Sequence, residues 1–119
     1  MRWWGWGEDG RAAALPAAAR ALLEAELGTL GPRRDPVALE RVRLAPSRLD
    51  PAVRARLAAI VGPAHLRDDR LTRVRHAAGR SYPDLVRLRA GDATAAPDAV
   101  AFPADAAEVA ALLQACAQA

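Results

Sequence analysis

The order of apolar and polar positions along the 119 residues predicts a mostly helical chain. In 16–27, Ala19, Leu22, Leu23 and Leu27 share one helical face, and Gly28 suits a left-handed stop, so a first helix is expected there. GPRRDP at 31–36 breaks the pattern with two prolines. Next, RVRL at 41–44 alternates Arg41 and Arg43 with Val42 and Leu44, the pattern of a short edge strand. Asp50 before Pro51 supplies an acceptor for free N–H groups and then a residue with no N–H to satisfy. The helix they open carries Val53, Leu57, Ile60 and Val61 on one face and ends at Gly62-Pro63. Asp68 or Asp69 caps a further helix with Leu71 and Val74, ending before Gly79, and SYPDLVRLRAG at 81–91 reads as a turn and a short helical or extended piece.

The end of the chain is the most informative part. Residues 99–102 form a continuous apolar run between Pro97 and Pro103, and Asp105 and Glu108 have the spacing of a capping box. The helix they open places Val109, Leu112, Leu113 and Cys116 on one stripe. A strand followed by its helix is the first two-thirds of a βαβ unit, which requires a parallel neighbour strand next. None follows, so the sequence is expected to be incomplete, or its missing strand to come from another chain. The fold class expected is α+β, mostly helical, closing on the first strand–helix unit of an incomplete domain.

Composition makes the core thin. Alanine supplies 31 residues, whereas Leu, Ile, Val and Phe together number 25, a share only just above that of chains that bury too little apolar surface to offset their ordering entropy. All 17 basic residues are arginine, and the net charge is +3. The signs are interleaved, which suits solvated faces and ion pairs. The exception is 67–89, with seven arginines against Asp68, Asp69 and Asp84, where an acidic partner or nucleic acid could bind. A lone Cys116 excludes an internal disulfide, and Glu8 and Asp9 interrupt the start before any secretory apolar run, which fits a cytoplasmic protein. No apolar run approaches the ~20 residues that span a bilayer.

Candidate chemistry is sparse. Gly5, Gly7 and Gly10 have G-x-G-x-x-G spacing, but no strand precedes them, Trp6 stands between the first two, and Glu8 and Asp9 occupy the place of an anionic ligand. The better reading is an aromatic anchor, Trp3, Trp4 and Trp6, on a glycine-loosened backbone. His65, Asp68, Asp69 and His76 are metal-capable but lack a ligand spacing. Ser81, His76 and Asp84 have the residue types of a hydrolytic triad without a nucleophile elbow. His76 is better placed as a helix-end hydrogen-bond partner near Gly79. Tyr82 and Phe102 read as packing residues, and Cys116 as a small buried hydrophobe. No catalytic, cofactor-binding or metal residue is assigned.

The run RHAAGRSYPDLVRLRAGDATAAPDAVAFPADAAEVAALLQACAQA at 75–119 resembles the approach to the flavin-binding domain of the vanillyl-alcohol oxidase and p-cresol methylhydroxylase (PCMH) type. RWWGWGEDG at 2–10 resembles the start of its alkyldihydroxyacetone-phosphate synthase-like branch. The carriers are Trp3, Trp4, Gly5, Trp6 and Gly7, then His76 and Gly79, Asp84 and Leu85, Arg89 and Gly91, and Pro97 to Val100 leading to Pro103. The resemblance implies a helical leader over 1–92 and the start of a PCMH-type FAD-binding domain over 93–119. It implies FAD in the full-length parent, held by a glycine-rich loop that this sequence does not contain. The parent would be an FAD-dependent oxidoreductase acting on an alcohol or 2-hydroxy acid, or an ether-lipid enzyme exchanging an acyl group for a fatty alcohol. This chain alone is expected to be inactive and to bind no FAD, its partner being the remainder of the flavoenzyme and its tryptophans becoming buried only there. The other reading is a small helical interaction module whose 67–89 face binds nucleic acid or an acidic partner.

Overall fold

The computed structural model of the chain describes residues 2–11, 13–29, 31–32 and 34–119. Among the described residues five α-helices form: α1 (Ala17–Leu27), α2 (Pro51–Val61), α3 (Arg70–Arg75), α4 (Tyr82–Arg89) and α5 (Ala106–Ala117). Two short strands, β1 (Leu66–Arg67) and β2 (Val100–Ala101), pair antiparallel with Leu66 opposite Ala101 and Arg67 opposite Val100. The described chain is thus mostly helical with one small antiparallel sheet. Its radius of gyration, 18.9 Å, is well above the about 13.5 Å of a compact domain of this length. Its extents of 57 × 28 × 23 Å show the same elongation.

Local chemistry sets the helix ends as expected. Asp50 accepts from the amides of Ala52 (2.8 Å) and Val53 (3.2 Å) at the start of α2. At α3 the cap is Asp69, which accepts from the Thr72 amide (3.0 Å) and hydroxyl (2.8 Å). The segment left open between helix and strand is helical: Ser81 caps α4 through the Asp84 amide. Asp105 accepts from the Glu108 amide (2.8 Å), while the Glu108 carboxylate reaches back to the amide of Ala104 (2.7 Å), one residue before the cap.

The apolar residues gather in two clusters. Val42, Val74, Leu85, Leu88 and Ala93 form one, with Trp3, Val37 and Leu39 packed against it. Leu57, Val61 and Leu66 form the other, joined by Ala99, Ala101, Leu112 and Ala115, so α2, β1, β2 and α5 share a core. Helix α1 joins neither. It forms where the periodicity places it, but none of its residues is buried.

Two strand expectations need correction. RVRL at 41–44 is not a strand: a 3-10 turn takes up Leu39–Arg41, and only Arg43 bridges, in parallel, to Asp92. Val42 is needed in the core between the two, and the Arg43 carbonyl and amide are satisfied by Ala93 N (3.1 Å) and Gly91 O (2.8 Å). The closing strand does find a partner within the chain, and an antiparallel one. The break at Gly62-Pro63 turns the chain after α2 so that 66–67 runs back past 100–101, and Phe102 N extends the ladder to His65 O at 2.9 Å.

Candidate functional site

The arginine-rich stretch 67–89 is not a basic face. Arg70 donates from Nε to Leu39 O (2.9 Å) and from Nη2 to Glu40 O (3.1 Å) and Val42 O. Arg73, 5% exposed, donates to Pro97 O (2.7 Å) and Ala45 O (2.9 Å). Arg80 reaches Arg2 O (3.1 Å) and Gly5 O (3.2 Å), and Arg89 reaches Arg34 O. Four of the seven arginines are therefore internal struts that satisfy the carbonyls of coil segments. Arg67 and Arg87 pair with Asp69 and Asp84 on the surface, leaving Arg75 exposed. Nothing in the sequence marks such struts, because their acceptors are backbone carbonyls without a side-chain signature.

Part of the tryptophan arm docks on this chain itself: Trp3 and Trp4 are already half-buried here, which corrects for those two the expectation of burial only in a longer protein, whereas Trp6 is not buried. Trp3 packs against the first cluster. The Trp4 ring lies between the guanidinium groups of Arg2 (4.7 Å) and Arg89 (4.9 Å), a double cation–π contact. Trp6 remains exposed, its indole N–H donating to Arg80 O at 3.1 Å. A Cβ built on Gly5, Gly7 or Gly10 meets nothing within 4 Å, and only a 3-10 turn, Asp9–Arg11, follows. This arm is an anchor: Gly5 borders a cleft of about 360 Å³ with Arg2, Trp4 and Arg89, but among the described residues no α-helix opens directly on the glycines, as a pyrophosphate cradle of the G-x-G-x-x-G kind requires.

The metal-capable and triad-like residues are committed to structure. His65 donates from Nδ1 to Val61 O (3.0 Å) and His76 to Thr72 O (2.8 Å), each closing a helix. His76 also meets the Phe102 ring edge-on, centroids 5.9 Å apart. Asp68 pairs with Arg54. Ser81 donates to Asp84 at 2.8 Å as part of the α4 cap, so no triad assembles around His76. Among the described residues no group of three or more His, Cys, Asp or Glu could hold a metal. Three carboxyls lie below the usual aspartate range. Asp69 is held down first by the Thr72 hydroxyl, Asp84 by the Ser81 hydroxyl and Asp92 by the Thr94 hydroxyl.

The candidate site that remains is a cleft of about 420 Å³ between α2, β2 and α5. Its lining is almost wholly apolar, including Leu49, Leu57, Ala101, Leu112 and Leu113, with Asp98 and Cys116 as polar members. Asp98 is engaged, accepting from Arg48 N at 2.8 Å. Cys116 is exposed at this cleft rather than buried, because its stripe on α5 faces an unfilled space. Tyr82 likewise is exposed instead of packed. Beside the cleft, among the described residues, β2 pairs with β1 in a two-stranded sheet. The arrangement offers apolar surface for packing and no acid–base pair.

Comparison with known proteins decides what this shape belongs to. Protein Rv2250A of Mycobacterium tuberculosis is 36% identical over 103 residues, covering 87% of this chain and 69% of that protein. In two crystal forms of alkyldihydroxyacetonephosphate synthase, 99% of this chain superposes with TM-scores of 0.81 and 0.79 at 26% identity. The chain belongs to the family of Protein Rv2250A and is alkyldihydroxyacetonephosphate synthase-like. The synthase of Dictyostelium discoideum is 36% identical over 76 residues, 64% of this chain. This synthase-like chain spans only 12% of the Dictyostelium protein and about a quarter of the solved synthase chains. No family model matches it. Among the described residues no helix is long and apolar enough to cross a membrane.

Proposed function

We propose that this synthase-like chain is the N-terminal part of an FAD-dependent enzyme and supplies packing surface rather than catalytic groups. The observation that carries the reading is the superposition of nearly the whole chain on about a quarter of alkyldihydroxyacetonephosphate synthase at a TM-score of 0.81. An elongated unit with an unfilled apolar cleft and a strand with one partner is what a piece of a larger body looks like. Residues 93–119 open a PCMH-type FAD-binding domain of the α+β class, and 1–92 form its helical leader, the two joined through the cluster of α2, β1, β2 and α5. The remainder of the enzyme covers the 420 Å³ cleft and holds the flavin. The synthase resemblance favours ether-lipid chemistry over oxidation of an alcohol or 2-hydroxy acid in the parent, in a cytoplasmic setting.

The alternative, an arginine-rich module for nucleic acid, loses its basis because four of the arginines of 67–89 donate to backbone carbonyls. Titrating the purified chain with FAD and following flavin fluorescence tests the proposal. The expected result is no tight binding. Stoichiometric binding with a sub-micromolar Kd overturns it.

A further inference from the structure

Two segments far apart in the chain, the arm at 2–7 and the coil at 34–37, are fastened to α4 by the same residue. The guanidinium of the half-buried Arg89 lies 4.9 Å from the centre of the Trp4 ring and donates from Nη2 to Arg34 O. The Arg89 carbonyl accepts from Val37 N at 3.1 Å. Trp3 and Val37, one from each segment, both pack on the cluster of Val42, Val74, Leu85 and Leu88. Between the two segments α1 has no buried residue, so it holds neither of them down.

The limits of this unit are set by other bonds. Beyond Val37, Arg70 donates to Leu39 O, Glu40 O and Val42 O, and Arg43 N bonds Gly91 O at 2.8 Å, so the chain is held firmly from Leu39 on. The arm is closed on itself, with Arg2 N donating to Gly7 O (3.0 Å) and Gly7 at φ 73°. A segment ordered in this way can leave and return at a small entropic cost. Besides Arg89, the arm is fastened by Arg80, which donates to Arg2 O and Gly5 O, and by the Trp6 indole, which donates to Arg80 O. Neither segment lines the α2–β2–α5 cleft, so the strap they make is independent of whatever covers that cleft.

We propose that the arm and the 34–37 coil form one strap, latched at Arg89, that opens and closes over the first cluster as a unit while the chain from Leu39 on stays folded. Openings of this kind take place in cooperative segments at free energies below that of global unfolding. The open strap turns the cluster beneath Trp3 and Val37 into an exposed apolar face.

Amide exchange of the isotope-labelled full chain, followed by NMR where exchange reports the opening equilibrium, tests it with Trp4→Ala and Arg80→Met. Both substitutions loosen the arm and leave in place the bond from Val37 N to Arg89 O, which is made by backbone atoms. A cation–π contact at a partly exposed site is worth a factor of about two to five in an equilibrium. The Val37 amide is therefore expected to exchange at least about twofold faster in each variant, while the Arg43 amide and those of α5 keep their parent rates. Trp4→Phe, which keeps a ring face for the guanidinium, returns most of the protection. A Val37 amide that exchanges at the parent rate in either variant overturns the proposal, because the arm then opens alone. So does equal acceleration at Arg43 in both variants, which makes the opening global.

Discussion

Replacing Arg73 by Met keeps most of the aliphatic stem and deletes the strut. In the folded chain this guanidinium, 5% exposed, joins Pro97 O (2.7 Å) to Ala45 O (2.9 Å), tying the coil after the 3-10 turn to the segment entering β2. Hydrogen bonds from a charged donor contribute about 1.5–3 kcal/mol each. Against the pair stands the burial of a cation with carbonyl acceptors only, a desolvation cost that the substitution removes. Ala45 is exposed and Pro97 half-buried, so water can reach both freed carbonyls. The net expectation for Arg73→Met is a loss of about 2–3 kcal/mol, read as a lower urea midpoint at unchanged slope. Arg73→Lys recovers less than half of it, since an ammonium cannot span both acceptors as the planar fork does. Arg75→Met, at an exposed position, stays within about 0.5 kcal/mol of the parent chain. A loss below about 0.5 kcal/mol for Arg73→Met refutes the reading of these arginines as struts.

Other outcomes follow from the same structure. Asp69, Asp84 and Asp92 all titrate below their ordinary value of 3.8, so their contribution is complete above that value and is lost as pH falls through the lower folded values. Urea midpoints measured from about pH 6 to about pH 2.5 should therefore drop at the acid end, and Asp69→Asn should flatten that drop. Gly91→Ala is expected to destabilise by about 1 kcal/mol or more, because Gly91 has φ 84° and an added Cβ would sit 3.0 Å from a Val37 methyl; thermal melting checks this. DNA or RNA binding by the chain should lack the steep salt slope of several phosphate contacts, and a steep slope in a filter-binding series would restore the nucleic-acid reading. Trp6→Phe should remove the most readily quenched part of the tryptophan emission, since Trp6 is exposed whereas Trp3 and Trp4 are half-buried.

Local rules carried much of the fold. Asp50-Pro51, Asp105 with Glu108, and the stops at Gly28 and Gly62 are chemical punctuation readable without tertiary context, and the helices begin and end on them. Pairing was harder to read. A four-residue apolar run does not say which partner it meets, and β2 found an antiparallel one through the reversal after Gly62. The arginine stretch misled for a related reason: sequence shows charge but not the coil carbonyls at which Arg70, Arg73, Arg80 and Arg89 are aimed. Cys116 sits on the apolar stripe as expected, but burial needs an opposing surface, and in this chain that space is a cleft. The synthase resemblance was read from WWGWG at 3–7 and the Pro97–Pro103 run, and the likeness holds for the chain as a whole, whereas catalytic groups were not legible anywhere.

The most direct measurement is the flavin content of a chimera in which this chain replaces the matching stretch of alkyldihydroxyacetonephosphate synthase. If the proposed function holds, the purified chimera should retain FAD at the stoichiometry of the unmodified synthase, and Leu112→Arg in the cleft should strip it. A folded chimera that holds no FAD, beside a synthase prepared in parallel that does, contradicts the account.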